Sequence, residues 1–464
     1  MGDRAARPLG RTRASAGRGS NPTVRPVTPR RTTRAGPPGA LQQVVVRALR
    51  PLRDRDFRLL WSGLAVSLVG DGVWLVALAW QVIELGGGPL QLSLVTTLFG
   101  VGLVGCVLFA GVVADRVPRR RIMVAADVAR GATTLLLGTL ALTGSLELWH
   151  LAAGALVIGS AEAFFVPAFT ALVPQLVPRG QLLAANGLEG VIRPLALQSA
   201  GPALGGLLVA AASPGAAMLL NAATYAISVA CLMAMRSVPL PGDATRAAAG
   251  LRSVLTEMAE GARYVRSQRW LWGTLVFAMV TILFLLGPIE VLLPFLVRDE
   301  TGGGSAEYGL LLAAYGIASA TGALIVSSRP FPRRYLTAIL LLWGLGTAPL
   351  AVLGFLDHLW AMAVVLVVVG LLDSGGQVIW GTLLQRRVPP RLQGRISSLD
   401  WFVSLALMPI SMALAGPAGE LFGVTAVFVA TGVVAAVAGV GFLFGLGLRR
   451  DELEHPLVDE PAAG

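Results

Sequence analysis

The chain has 464 residues, 55% of them hydrophobic and only 14% charged, with a mean hydropathy of +0.71. Apolar runs of about 18 or more residues recur along it, each long enough to cross a bilayer, which excludes an ordinary soluble protein. The net charge of +11 comes from arginine alone, since there is no lysine. These arginines sit in the connections between apolar runs, a placement that points to membrane topology and anionic lipid rather than nucleic acid. Cys106 and Cys231 both fall inside apolar runs and read as small packing residues, leaving neither a disulfide framework nor a zinc site.

Residues 1–56 form an Arg-rich lead-in, with Pro, Gly, Ser and Thr replacing apolar residues up to about residue 46. Such a segment cannot bury enough apolar area to fold, and it lacks the apolar core of a secretory signal. It reads as a disordered cytoplasmic tail or as the result of a start placed too far upstream; its Arg- and Ser-rich composition also has the character of an organelle transit peptide.

Twelve spans follow, at about 58–83, 91–114, 121–143, 149–172, 187–211 and 215–235, then 271–296, 307–328, 335–356, 359–384, 396–419 and 422–448. Arginines gather in every second connection, among them Arg116, Arg119, Arg120 and Arg121, then Arg179, Arg236, Arg329 and Arg386. The intervening connections hold none except Arg298, which stands beside Asp299 and Glu300. The positive-inside rule therefore predicts both termini in the cytoplasm. The one long internal connection, 236–270, carries Leu251, Leu255, Met258, Ala262 and Val265 at helical spacing, as in a basic amphipathic helix on the cytoplasmic face. It separates a six-helix bundle at 57–235 from another at 271–448, and residues 449–464 form a C-terminal tail.

The halves look related. Placing Val177-Pro178 over Val388-Pro389 gives an offset of 211, at which Glu162 falls on Asp373 and Glu189 on Asp400. Two parallel six-span halves are a known transporter architecture, with the site near the midplane between them.

Between the second and third spans the chain reads GVVADRVPRRRIMVAADVAR, from Gly111 to Arg130. It resembles the G-x-x-x-D-R-x-G-R-R loop motif of the major facilitator superfamily, with Pro118 in place of the second family glycine. Gly201-Pro202-Ala203-Leu204-Gly205-Gly206 looks like the fifth-helix motif of that superfamily's exporters and antiporters. The stretch from Phe164 to Gly187 is similar to the drug:proton antiporter branch that holds macrolide-efflux-type and enterobactin-exporter-type proteins. The resemblance covers most of residues 55 to 448. It implies an all-α polytopic membrane protein of twelve transmembrane helices, arranged as two pseudo-symmetric six-helix bundles.

Ionisable groups at bilayer depth cost several kcal/mol unless paired or hydrated, so each is a functional candidate. Asp71, Glu162, Glu290 and Asp373 lie within the first, fourth, seventh and tenth spans. The resemblance implies that these four helices line the central cavity. A carboxylate in a poorly hydrated cavity holds a proton until water or a cation arrives, the competition that a proton antiporter needs. For each acid the alternative is a structural ion pair or a hydrogen bond to a neighbouring helix. Glu84, Glu147 and Glu420, at span ends, read as solvated.

Gly111, Asp115, Arg116, Arg119, Arg120, Asp127 and Arg130 form a candidate conformational latch. Asp115 would lie against the helix that begins near Ile396-Ser397-Ser398, as the family fold implies, complementing its N-terminal dipole. Asp127 and Arg130 share a helix face at i, i+3 and are expected to pair. The alternative is that the basic loop only sets topology. Gly201 and Gly205 have the G-x-x-x-G spacing of close helix contact, beside a bend at Pro202. Glu189, Arg193 and Asp400 are candidate charge partners, and Trp74, Trp80, Phe164, Phe165 and Trp380 would offer apolar contact to large substrates.

Gly100-Val-Gly102-Leu-Val-Gly105 matches a dinucleotide fingerprint but lies inside a continuous apolar span, so it reads as small-residue packing. Neither a Walker loop nor a catalytic or metal-ligand motif occurs. The expectation is therefore a non-enzymatic, monomeric, proton-coupled exporter of amphipathic small molecules in a bacterial cytoplasmic membrane. Its energy source would be the proton gradient, with no cofactor, metal or nucleic acid involved. An uptake symporter, a narrow-specificity siderophore exporter and a transport-inactive receptor or scaffold are the alternatives.

Overall fold

A computed structural model describes residues 49–236 and 260–457. All regular elements among the described residues are helical, and twelve of them are long and apolar enough to cross a membrane. They are α1 (Arg55–Glu84), α2 (Pro89–Arg116), α3 (Arg119–Leu142), α4 (Leu148–Leu176), α5 (Leu182–Leu195, continuing through Ala196–Ala200 and Gly201–Ala211) and α6 (Pro214–Ala234) in the first half. The second half holds α7 (Arg269–Thr301), α8 (Ser305–Ser327), α9 (Tyr335–Phe355), α10 (Leu359–Arg387), α11 (Pro390–Phe422) and α12 (Val424–Gly445). A short helix, α13 (Leu448–Glu454), closes the described chain.

Local chemistry sets the helix ends. Asp54 caps α1, its carboxylate accepting from the amides of Asp56 and Phe57 at 2.9 and 3.0 Å. The glycine turn after α1 places Gly86 at φ +76°, a left-handed conformation that glycine adopts without strain. At the opposite, arginine-rich end, α2, α4 and α10 each stop at an extended valine, Val117, Val177 or Val388, standing before a proline. The proline ring disfavours helical backbone in the residue before it, so the three Val-Pro pairs act as stop signals.

Several helices outrun the predicted spans. Hydropathy predicts ends at 172 and 384, whereas α4 and α10 continue to Leu176 and Arg387. Hydropathy locates the bilayer crossing, and helix-forming residues carry the backbone bonding past it. Most of the predicted amphipathic helix, and the lead-in up to residue 48, lie outside the described residues; residues 260–267 are helical. The predicted C-terminal tail is in part α13, docked by Asp451 on Arg387 at 2.5 Å and by Glu452 accepting from the Thr337 amide at 3.0 Å.

At the end away from the arginines both halves share one apolar core. Trp74, Val76, Leu92 and Ile158 join Val291, Phe295, Leu311 and Phe428 there. At the arginine-rich end each half has a separate core, one around Phe57, Met123 and Phe169 and the other around Trp270, Tyr335 and Leu383. Two helix pairs carry the junction of the halves. Ser93 of α2 donates to the Met412 carbonyl of α11 at 2.5 Å, and Ser305 of α8 donates to the Gly206 carbonyl of α5 at 3.1 Å. Trp80 of α1 stacks on Tyr308 of α8, their ring centroids 5.5 Å apart.

Candidate functional site

Asp127 and Arg130 lie one helical turn apart on α3, and the pairing expected from their spacing forms. Their place differs from a surface latch. Both side chains are buried, because their shared face turns inward toward α4 and α6 rather than along the loop. The Arg130 guanidinium also pairs with Glu162 of α4, so one cation holds two carboxylates. It lies between two aromatic rings, 4.6 Å from the centroid of Phe165 and 4.7 Å from that of Tyr225. Aromatic faces attract a guanidinium that has left water. The Tyr225 hydroxyl donates to Asp71 of α1, and Ser228 donates to Asp127 Oδ2 at 2.6 Å.

One network thus joins α1, α3, α4 and α6, with three carboxylates around a single guanidinium. Gly131 lets α6 approach closely: a Cβ there would stand 3.2 Å from the Tyr225 Cβ, tighter than ordinary contact. Phe165, expected as an apolar contact for substrate, instead forms part of the Arg130 cradle.

The second half is built differently. Asp373 of α10 and Glu290 of α7 have no ion pair or side-chain hydrogen bond among the described residues, yet each is within electrostatic reach of an α8 tyrosine, Tyr315 and Tyr308 respectively. The Asp373 backbone carbonyl accepts from the Trp343 indole at 3.2 Å. Glu290 falls in a widened π turn, Pro288–Leu292. Pro288 has no amide hydrogen for the Phe284 carbonyl one turn back, and Thr431 of α12 donates to that carbonyl at 2.8 Å. Ser411 of α11 enters the preceding step: it accepts from the Gly287 amide at 2.8 Å and donates to the Leu283 carbonyl at 2.7 Å. The break beside Glu290 is therefore fully bonded by its neighbours.

The loop-motif arginines act within their own half. Arg119 donates to the Ala171 carbonyl of α4 at 3.1 Å, and Arg120 to the Met235 and Met233 carbonyls at the end of α6 at 2.7 and 2.8 Å. Carbonyls near helix ends lack intrahelical partners, so these contacts fix the loop on the first bundle. Arg116 is exposed. Gly111 and Asp115 are helical, but their surroundings, and with them the expected contact to α11, lie outside the described part of the structure.

In the GPALGG stretch, Gly201 and Gly205 face α1, as their spacing predicts, with Gly72 and Val73 as neighbours. Gly206 faces the other half, at Ser305 and Gly309 of α8. The π turn Ala196–Ala200 just before Pro202 is the bend the proline imposes. Arg193 pairs with Glu189 at 3.4 Å rather than with a cavity acid. Asp400 has no arginine partner among the described residues; both its oxygens lie 3.3 Å from the donating Trp380 indole nitrogen. Gly100 packs on Pro409 and Gly102 on α4, which accounts for the dinucleotide-like spacing.

The sequence reading misses Tyr225 and Ser228. A signal for them exists: Asn221, Thr224, Tyr225 and Ser228 follow one another at i, i+3, i+4 and i+7, a polar stripe on an otherwise apolar helix, and all four are buried.

The sequence matches the family described as transmembrane secretion effector over residues 46–455. Among curated proteins it is 31% identical over 402 residues to "Multidrug efflux pump Tap" of Mycolicibacterium fortuitum, covering 83% of this chain and 94% of that one. It is 24% identical over 386 residues to "Macrolide efflux protein A" of Streptococcus pyogenes, covering 82% and 93%. Among solved structures, a bacterial homologue of the human lysosomal transporter Spinster, in its inward-facing and unoccupied conformation, superposes with a TM-score of 0.67 at 15% identity, covering 89% of this chain and 100% of that one. The nucleoside transporter NupG, as its D323A mutant, gives 0.67 at 11% identity, covering 84% and 98%. These likenesses show the fold. The chain belongs to the transmembrane secretion effector family, within the major facilitator superfamily of membrane transporters.

Proposed function

We propose that this protein exports amphipathic, predominantly cationic compounds from the cytoplasm in exchange for protons. The observation that carries the coupling is the network around Arg130. With Asp71, Asp127 and Glu162 all ionised, three negative charges face one positive charge, an excess of two at bilayer depth. Excess buried charge is costly, so the network favours binding protons. Arg130 stays charged, and a proton taken up by the network alters how the carboxylates share it. The names of the efflux relatives support the direction of transport.

In this reading both termini face the cytoplasm, since the arginine-rich connections lie at that end. The arrangement of the cores fits a conformation closed on the outer side, and the α5–α8 and α2–α11 contacts are those that must part on the way to the other one. The energy source is the proton gradient, and the protein works as a monomer without a cofactor.

The test is accumulation of ethidium and macrolides in cells lacking their own pumps, with and without a protonophore. Wild type should lower accumulation, and protonophore or Glu162→Gln should abolish the effect at equal expression. Export that persists after the proton gradient collapses would overturn the coupling. Raised accumulation with the wild-type protein would overturn the direction in favour of uptake.

A further inference from the structure

Between α10 and α11, at the arginine-rich end of the second half, lies an open recess of about 440 Å³ lined by Gln377, Trp380, Leu384, Ile396, Asp400 and Trp401 among others. This volume falls in the range of about 300–1,000 Å³ typical of small-molecule sites. Its composition is specific. Trp380 is held edge-on by Trp270, with centroids 6.4 Å apart, and lies against Trp343 at 6.2 Å, which fixes its ring. Its indole nitrogen then donates to the Asp400 carboxylate, orienting the acid on the wall. An ionised carboxylate has about four acceptor positions, so this single donor leaves most of them unused.

The neighbouring arginines among the described side chains have partners of their own. Arg387 pairs with Asp451 at 2.5 Å, Arg395 with Glu260 at 2.8 Å, and Arg386 lies 4.8 Å over the Phe331 ring. None of them reaches Asp400. Trp401, 62% exposed, also lines the recess, and Gln377 and Gln385 add exposed amides. A carboxylate with no cationic partner among the described residues, beside the Trp380 and Trp401 rings and neutral amides, suits a hydrophobic monovalent cation. Charge meets the carboxylate, and aromatic rings provide cation–π and apolar contact, with no arginine lining the recess among the described residues.

We propose that this recess is a binding site for aromatic organic cations, distinct from the Arg130 network. The inference rests on the export reading above and divides its labour. The acids of the first half share Arg130 and exchange protons, whereas Asp400 has no counter-charge among the described residues and takes it from the substrate.

The probe is tetraphenylphosphonium, titrated by calorimetry into the purified full-length protein in lipid nanodiscs. Asp400→Asn should weaken binding about tenfold or more, and Asp400→Glu should restore it to within about threefold of wild type. Trp401→Ala, at an exposed position that leaves the fold intact, should weaken binding about three- to tenfold, and this variant carries the test should Asp400→Asn fail to fold. Glu162→Gln should leave the affinity within about twofold. Wild-type affinity in a folded Asp400→Asn overturns the site, as does wild-type affinity in Trp401→Ala where Asp400→Asn does not fold, or an absence of binding by the wild-type protein. The two readings separate cleanly. Binding that depends on Asp400, without dye export from cells, upholds the site and sinks the export reading; export with binding indifferent to Asp400 does the reverse.

Discussion

The Tyr225 hydroxyl donates to the Asp71 carboxylate, across a separation of 154 residues, while the same ring forms one wall of the Arg130 cradle. Tyr225 is therefore the bridge between the carboxylate of α1 and the ion pairs of α3 and α4. Tyr225→Phe keeps the aromatic wall and removes the bond. A buried acceptor that loses its donor costs about 1–3 kcal/mol. The variant should insert normally, melt a few degrees lower in a thermal-shift assay, and show impaired proton-dependent dye export. Unchanged export across pH 6 to 8 (an assay window of about two units around neutrality) would remove Asp71 from the coupling network.

Arg130 is the only cation in its cluster among the described residues, so its loss should matter more than the loss of any one acid. Arg130→Met leaves buried carboxylates without a counter-charge, and breaking a buried pair from one side costs about 3–5 kcal/mol. Glu162→Gln leaves the Asp127 pair in place and should cost less. Thermal stability of the two variants in the same detergent checks the order. Adding Glu162→Gln to Arg130→Met should recover part of the lost stability, by reducing the uncompensated negative charge.

Gly206 touches the backbone of the opposite half at Ser305 and Gly309. A Cβ placed there meets the Ser305 carbonyl and stands 3.1 Å from the Gly309 Cα, neither of which can rotate aside. Gly206→Val should therefore hold α5 and α8 apart and reduce dye export about tenfold or more, with normal membrane insertion. Gly105→Ala, at a position where a Cβ has no neighbour within 4 Å, is the control and should export like wild type.

Ser411 bonds two backbone groups of α7, the Leu283 carbonyl and the Gly287 amide. Ser411→Ala leaves two buried backbone groups to find other partners, at a cost of about 1–3 kcal/mol. Hydrogen exchange should accelerate in the peptide containing Gly287 and stay unchanged in α2. Thr431→Val, which frees the Phe284 carbonyl, should act in the same direction.

What the sequence determined by itself is local and periodic. Apolar run length marked the twelve spans, since crossing a bilayer requires a minimum stretch of apolar helix, and the one long connection at 236–270 divided them into two halves of six. The Asp127–Arg130 pair was legible because helical geometry alone puts i and i+3 on one face. The Gly201–Gly205 contact was legible in the same way, through small residues one turn apart.

The tertiary structure decided which helix each face meets. Nothing in the local pattern of Asp127 and Arg130 separates a surface latch from a buried hub; the packing of α3 against α4 and α6 does, by bringing Glu162, Phe165 and Tyr225 to the Arg130 guanidinium and Ser228 to the Asp127 carboxylate. Asp71 joins through a hydroxyl on α6, a link between distant residues that no spacing along the chain encodes. Asp400 shows the converse: the offset of 211 sets it against Glu189, which has an arginine one turn along its own helix, whereas the neighbour that meets Asp400 is an indole on α10. Backbone periodicity fixes which residues share a face, while the surroundings of a charge depend on contacts between helices, and these are set only when the bundle closes.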